Sequence, residues 1–234
     1  MEVHGAALRA FFEGETGEEE IVRTDAGRAT PVPVRHFFHT PPEFRALVNA
    51  ALARCAGRVL GAGAGSGLHA VALEEMGLAV TAVDISTQAV EIIRRRGVRD
   101  VHSAGILTYQ GGPFDTLLML GHGLGITERS RASTASWHMR GAWFYPAVRY
   151  WRIRSTCESQ RIRNTWPTTK PTGAPGRYIG EIRIQLEYTG RTGPYFGWLH
   201  VDAETLVDHA AAHGWNCEVI AADDAGNFVA RLGC

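Results

Sequence analysis

The stretch Arg58-Val59-Leu60-Gly61-Ala62-Gly63-Ala64-Gly65-Ser66-Gly67 restricts the fold of this chain more than any other. A short apolar run that enters alternating glycines, and is followed by Leu68–Met76 with helical character, reads as strand, tight turn and helix. Glycines in such a turn permit left-handed dihedrals, so backbone N–H groups and the helix N-terminus can face a ligand. A second strand, Ala79–Val83, follows directly and is closed by Asp84. A carboxylate there can accept the hydroxyl protons of a ribose. Helix Thr87–Arg95, short strand Val98–His102 and strand Phe114–Leu120 continue the alternation. Short, regular connections of this kind predict one half of a doubly wound parallel sheet, with its ligand crevice beyond the carboxyl ends of the strands.

The flanks are expected to complete that unit. Residues 6–13 read as a short helix, Ile21–Arg23 as strand-like, Val34–Phe38 as extended, and Pro42–Ala53 as a helix opened by proline. Together, residues 1–54 are expected to form a small N-terminal cap, and 55–234 the main domain. Beyond the middle of the chain, Tyr178–Thr189 and Tyr195–Val201 form a predicted hairpin, and Asp202 caps a helix that Gly214 ends. Strands Glu218–Ala221 and Asn227–Leu232 then follow around an Asp-Asp-Ala-Gly turn. The predicted fold class is therefore α/β, a Rossmann-like, doubly wound, mostly parallel sheet with antiparallel C-terminal strands.

Bulk properties exclude several function classes. Lys+Arg and Asp+Glu are equal at 24 each, so whole-chain charge gives no reason to expect a nucleic-acid or anionic-membrane partner. The four cysteines, Cys55, Cys157, Cys217 and Cys234, have no ligand spacing and read as reduced thiols. No apolar stretch approaches the roughly 20 residues that span a bilayer, and no leader pattern is seen, so a cytoplasmic location is expected. No Ser-His-Asp arrangement, phosphate-binding P-loop or metal cluster appears, and His209 and His213 at i, i+4 have no third ligand. No metal is expected.

The glycine spacing separates cofactor classes. A dinucleotide fingerprint needs GxGxxG, and counting from Gly61 or Gly63 the third position is Ser66 or Leu68, so neither register completes it. The GxGxG of Gly63, Gly65 and Gly67 resembles instead motif I of class I S-adenosylmethionine-dependent methyltransferases. The chain looks most like a bacterial group of these that begins near a His-Gly pair, carries the segment Pro33-Val34-Arg35-His36-Phe37-Phe38, and later reads Gly180–Tyr188. The resemblance implies S-adenosyl-L-methionine as cofactor and methyl transfer as activity. It assigns Gly63, Ala64, Gly65 and Gly67 to the methionine and ribose side, Asp84 to the ribose hydroxyls, and Ile85 to packing on adenine. Gly105, Ile106 and Leu120 complete the expected cofactor site. Two positions depart from the pattern: Gly61 and Gly105 stand where the family often carries acidic residues, and each removes a carboxylate from the site.

Catalytic candidates are His122, just after the fourth strand of the half, His36 in the cap, and Tyr188 on the predicted hairpin. Each also fits a plainer role: a loop histidine, a solvent-facing histidine, a sheet aromatic. Glu187, Tyr195, Trp198 and His200 flank the same hairpin. The readings in order are a methyltransferase with a small-molecule acceptor, a cofactor-binding relative that has lost activity, and an NAD(P)-dependent oxidoreductase.

Residues 129–175 do not match their surroundings. They hold four of the six Trp and eight Arg against one Glu, with no Leu or Asp, and show no helical or strand period. Interleaved aromatics and cations could contact single-stranded nucleic acid. A frame shift explains the composition better. Reading each codon's third base with the first two of the next forces Ala at Trp137-His138, Val at Trp143-Phe144 and Leu at Tyr150-Trp151. One such frame across about 128–176 permits an amphipathic helix, a Pro-Gly-Gly turn and an apolar strand, which are the elements the fold requires there. Resequencing the gene tests this expectation.

Overall fold

The computed structural model describes residues 1–40, 46–121, 144–153 and 180–233. Helix α1 (Glu2–Phe12) leads into β1 (Glu19–Thr24) and β2 (Ala29–Pro33), an antiparallel hairpin with Glu19 opposite Pro33 and Arg23 opposite Ala29. Pro31 and Pro33 place β2 at a sheet edge, where a missing N–H breaks no ladder. The run Val34–Phe37, expected to be extended, is a 3-10 turn: Phe38 N–H donates to the Arg35 carbonyl at 2.9 Å. Helix α2 (Ala46–Leu52) then buries Leu47, Ala51 and Leu52.

The parallel half forms as its pattern predicts. Strand β3 (Arg58–Ala62), α3 (Leu68–Glu75), β4 (Ala79–Asp84), α4 (Thr87–Arg95), β5 (Asp100–Ser103) and β6 (Phe114–Met119) alternate, and β5, β4, β3 and β6 lie side by side in parallel. Both sheet faces are covered, so inward residues alternate between two cores. Val59, Val80, Ala82 and Leu118 pack on one side with Leu73 and Ile93, whereas Leu60, Val83, Leu117 and Met119 pack on the other with Phe114 and Leu206. Ser86 caps α4 by accepting from Ala89 N–H at 3.3 Å.

A strand does form within the aberrant middle. β7 (Phe144–Ile153) runs parallel to β6 and antiparallel to the last strand, occupying the fifth position of the sheet. The residues of this strand show no strand period of their own; its pairing comes from its place between β6 and β12. The rest of 129–175 lies outside the described residues, as do Cys157 and the frame-shift reading.

After β8 (Glu181–Tyr188), β9 (Arg191–Thr192) and β10 (Phe196–Leu199) comes α5 (Ala203–Ala212), capped by Asp202 through Thr205 N–H at 2.8 Å. Gly214, with φ +72°, permits the left-handed exit from α5. Strands β11 (Asn216–Ala222) and β12 (Phe228–Gly233) close the main sheet, whose order is β11-β12-β7-β6-β3-β4-β5. The predicted β8/β10 hairpin exists but does not join that sheet. β8 pairs with β1 (Ile21 opposite Glu187), giving a second, antiparallel sheet of order β10-β8-β1-β2 from the two ends of the chain. This layer is fixed to the parallel half through α1, where Ala7 and Leu8 pack with Val34, Tyr188, Ala89 and Ile92. Among the described residues no helix is long and apolar enough to cross a membrane.

Candidate functional site

The turn after β3 is held by its own backbone and by the strand beside it. Gly63, Gly65 and Gly67 have φ of +64°, +57° and +79°, conformations that L side chains resist. Gly63 and Ala64 N–H both donate to the Val83 carbonyl, at 2.9 and 3.1 Å. Gly65 N–H donates to Asp84 Oδ2 at 2.8 Å, while Asp84 Oδ1 accepts from Ser86 N–H at the same distance. Asp84 thus fixes the glycine turn to the β4–α4 corner. Each of its oxygens retains a second lone pair for a ligand hydroxyl.

The turn is open on one side and packed on the other. Ile85, directly after Asp84, is 61% exposed, an aliphatic surface left open at the mouth of the crevice. Above Gly65 a Cβ would meet nothing within 4 Å, so the space over the turn is open, whereas at Gly67 it would stand 3.0 Å from Ile93, where the turn presses on α4. Gly61 and Gly105 have room for larger residues: the nearest atoms to a Cβ are the Thr81 carbonyl at 3.9 Å and Thr108 Oγ1 at 3.4 Å. The missing carboxylates are therefore not excluded by packing.

The other sequence candidates fall in different places. The Gly105 carbonyl accepts from Thr108 and Tyr109 N–H, making a tight turn beyond β5. Ile106 and Leu120 are buried, one in each core. Tyr188 is buried in the N-terminal layer, where burial and the nearby Glu15 and Glu18 raise its phenol's proton affinity. His36 lies on the 3-10 turn with its ring 5.4 Å from that of His39, and its neighbour Phe37 is the residue that reaches the glycine turn. His122 lies outside the described residues.

Several residues at the site escaped the sequence reading. The Ser66 hydroxyl donates to the Phe37 carbonyl, and Arg96 Nη1 donates to the Ser66 carbonyl at 2.8 Å with its guanidinium 5.7 Å from the Phe38 ring centre. These contacts bolt the N-terminal segment onto the turn. His69, in the first turn of α3, is held neutral by burial, its imidazole pushed down to about 4. His4 of α1 meets the ring of Phe37, whose carbonyl accepts from Ser66, edge-on at 4.8 Å. The signals were present as the Phe-Phe segment and the His-Gly pair, but nothing local ties either to the turn.

A parallel β5-β4-β3-β6 half, with a glycine turn bonded to the carboxylate that ends its second strand, defines a Rossmann-like α/β fold of the methyltransferase type. Comparison with known proteins specifies it. A methyltransferase domain model matches residues 60–122. A Bacteroides fragilis S-adenosylmethionine-dependent methyltransferase, solved with S-adenosyl-L-homocysteine, is 29% identical over 99% of this chain and 94% of that one, with a TM-score of 0.85. Two further structures share the fold: the DhpI–SAM–HEP complex, at 22% identity over 81% and 86% with TM-score 0.57, and the sugar N-methyltransferase KedS8 from Streptoalloteichus, at 16% over 87% and 94% with TM-score 0.57. No curated protein matches the chain by sequence. By this domain match and its fold the chain is of the class I S-adenosylmethionine-dependent methyltransferase type, a class whose cofactor is S-adenosyl-L-methionine.

Proposed function

We propose that this chain transfers a methyl group from S-adenosyl-L-methionine to a small-molecule acceptor in the cytoplasm. The bonding of Asp84 to both the Gly65 turn and the β4–α4 corner carries this reading, because it holds a ribose acceptor and an open backbone turn in fixed relation. In this reading Gly63–Gly67 hold the amino-acid end, Asp84 the ribose and Ile85 one face of the base. The cofactor supplies an electrophilic methyl on a positively charged sulfur. The chain supplies proximity and orientation, the larger part of the rate in a direct displacement. Small-molecule acceptors are supported by KedS8, which acts on a sugar.

A second reading, cofactor binding without turnover, is favoured by glycine at 61 and 105. The dinucleotide reading has only the general fold behind it. Titration calorimetry with S-adenosylmethionine, S-adenosylhomocysteine and NADH separates the three. The first two are expected to bind in the micromolar range and NADH not to bind. Absence of heat with both methionine cofactors at millimolar concentration sinks the proposal, and binding without turnover across alcohols, amines and amino sugars favours the second reading.

A further inference from the structure

Glu20 and Asp84 are the two buried charged side chains among the described residues whose exposure is below 9%. Asp84 is explained by the cofactor turn. Glu20, 2% exposed on the inward face of β1, is not. Its Oε2 lies 2.9 Å from His4 Nδ1, and its Oε1 has no hydrogen-bond partner among the described residues.

The location of His4 follows from its neighbours. Its ring meets Phe37 edge-on at 4.8 Å, and the Phe37 carbonyl receives the Ser66 hydroxyl of the glycine turn. The next residue, Gly5, backs so closely on the first turn of α4 that a Cβ would stand 2.4 Å from Ser86 Oγ and 2.3 Å from Gln88 Oε1. His4 therefore lies on the stretch of α1 that adjoins Phe37, which bonds the glycine turn, and the Ser86 corner, near enough to Asp84 to feel its charge. The charged groups that act on it are Glu20, Asp84 and the Met1 amine: burial lowers its proton affinity and the amine opposes protonation, but Glu20 and then Asp84 outweigh them and the net shift is upward.

A purely structural clamp has no use for this arrangement. A half-satisfied buried carboxylate is destabilising, and an apolar pair would fix α1 to β1 without that penalty. What the pair does provide is an imidazole whose Nδ1 proton is held by a carboxylate, leaving Nε2 with no protein partner among the described residues. An imidazole oriented by a buried carboxylate is the arrangement of a positioned base.

We propose that His4, oriented by Glu20, is the residue that takes the proton of the methyl acceptor at Nε2. The acceptor class is then one whose nucleophilic atom carries a proton, an alcohol or an amine, and not a thioether. This inference rests on the methyl-transfer reading. The electron pair of the acceptor's broken X–H bond stays on X as the X–C bond forms, the C–S pair leaves with sulfur, and the proton resides on Nε2 before passing to solvent. Glu20 stabilises the imidazolium so formed.

The test uses the full chain, its His4→Gln and Glu20→Gln variants, and three measurements. Nitrogen-15 NMR of the wild-type imidazoles is expected to show neutral His4 protonated at Nδ1, with a titration midpoint that drops in Glu20→Gln; a neutral form protonated at Nε2 overturns the proposal without reference to turnover. Titration with S-adenosylhomocysteine is expected to give His4→Gln an affinity within threefold of wild type. A wild-type chain that binds none defeats the methyl-transfer reading, whereas a tenfold loss in His4→Gln alone makes His4 a cofactor contact and overturns this inference alone. Turnover with hydroxyl- and amine-bearing acceptors is expected to fall about 10²–10⁴-fold in kcat in His4→Gln, with the KM for S-adenosylmethionine unchanged and the acidic limb of the pH profile lost. A kcat within fivefold of wild type, or turnover confined to thioethers, overturns it.

Discussion

The parallel half and the N-terminal antiparallel layer meet at the same crevice, yet they are built on opposite principles. In the half, residues 58–120, each strand pairs with a neighbour reached through one short connection, and the ligand turn is bonded to the strand beside it. In the layer, β1 pairs with a strand more than 150 residues away, Ile21 opposite Glu187, and its helix carries His4 to the crevice from outside. Local order supplies the glycine turn, and distant order supplies the layer that packs beside it. The contrast can be tested by damaging one region and measuring the other.

The largest effect is expected at Gly67. Its φ of +79° costs an L residue about 1–2 kcal/mol, and a methyl group 3.0 Å from Ile93 adds about 1–3 kcal/mol of overpacking. Gly67→Ala should lower global stability by about 3 kcal/mol in urea denaturation. An unchanged midpoint would mean that the turn is not rigidly set by the half.

Asp84→Asn probes the turn without changing its shape. An amide cannot accept from both Gly65 and Ser86 N–H and still offer two lone pairs to a ribose. Affinity for S-adenosylhomocysteine should fall about 100-fold, or about 3 kcal/mol, with a smaller loss of stability. Retained affinity would show that the carboxylate only fastens the corner.

Gly5→Ala strikes the seam between the regions. A Cβ 2.4 Å from Ser86 Oγ and 2.3 Å from Gln88 Oε1 must push α1 outward, at about 2 kcal/mol. Hydrogen exchange should quicken in α1 and β1 and remain slow in β3 and β4. Uniform quickening would mean that layer and half unfold as one unit.

How much of this was legible follows the same division. From Arg58 to Leu120 each element arises from nearby residues: apolar runs, the Gly63–Gly67 turn, the Ser86 cap. The glycine turn and the strand that ends at Asp84 could therefore be read directly. The partner of β1 could not, because nothing in Glu19–Thr24 distinguishes β8 from any other strand of suitable length. For the same reason His36 was a candidate and His4 was not: the Phe-Phe segment was visible, but the place of His4 depended on how α1 packed on α4. β7 shows the limit from the other side, since its position in the sheet comes from β6 and β12 and not from its own pattern.

The pH dependence of stability sharpens the contrast within the crevice, where one histidine belongs to each region. Burial in α3 holds His69 neutral, with its pKa pushed down to about 4 from an unfolded value near 6.5. Between these values the unfolded chain binds a proton that the folded chain refuses, so stability falls as pH is lowered through that window and is unaffected above it. With solvent screening at the ring's edge, the loss by pH 4.5 should be about 1–2 kcal/mol. His4 has the opposite sign: its raised pKa contributes stability that is full below about 6.5 and is lost as pH rises through the folded value. Urea midpoints from pH 4.5 to 8 should therefore decline less on the acid side in His69→Gln and less on the alkaline side in His4→Gln. Identical profiles for both variants would remove the distinction.

The smallest change tests whether the half keeps room for a carboxylate it lacks. Gly61 lies in β3 with ordinary negative φ space and only the Thr81 carbonyl, at 3.9 Å, near a Cβ. Gly61→Asp should fold with little loss, because neither backbone strain nor overpacking opposes it. If the crevice seats the charged end of S-adenosylhomocysteine over the glycine turn, an added anion beside its ammonium should tighten binding by up to about tenfold, near 1 kcal/mol, and less at high salt. An unchanged affinity in a folded Gly61→Asp chain would mean that the ammonium is already satisfied elsewhere.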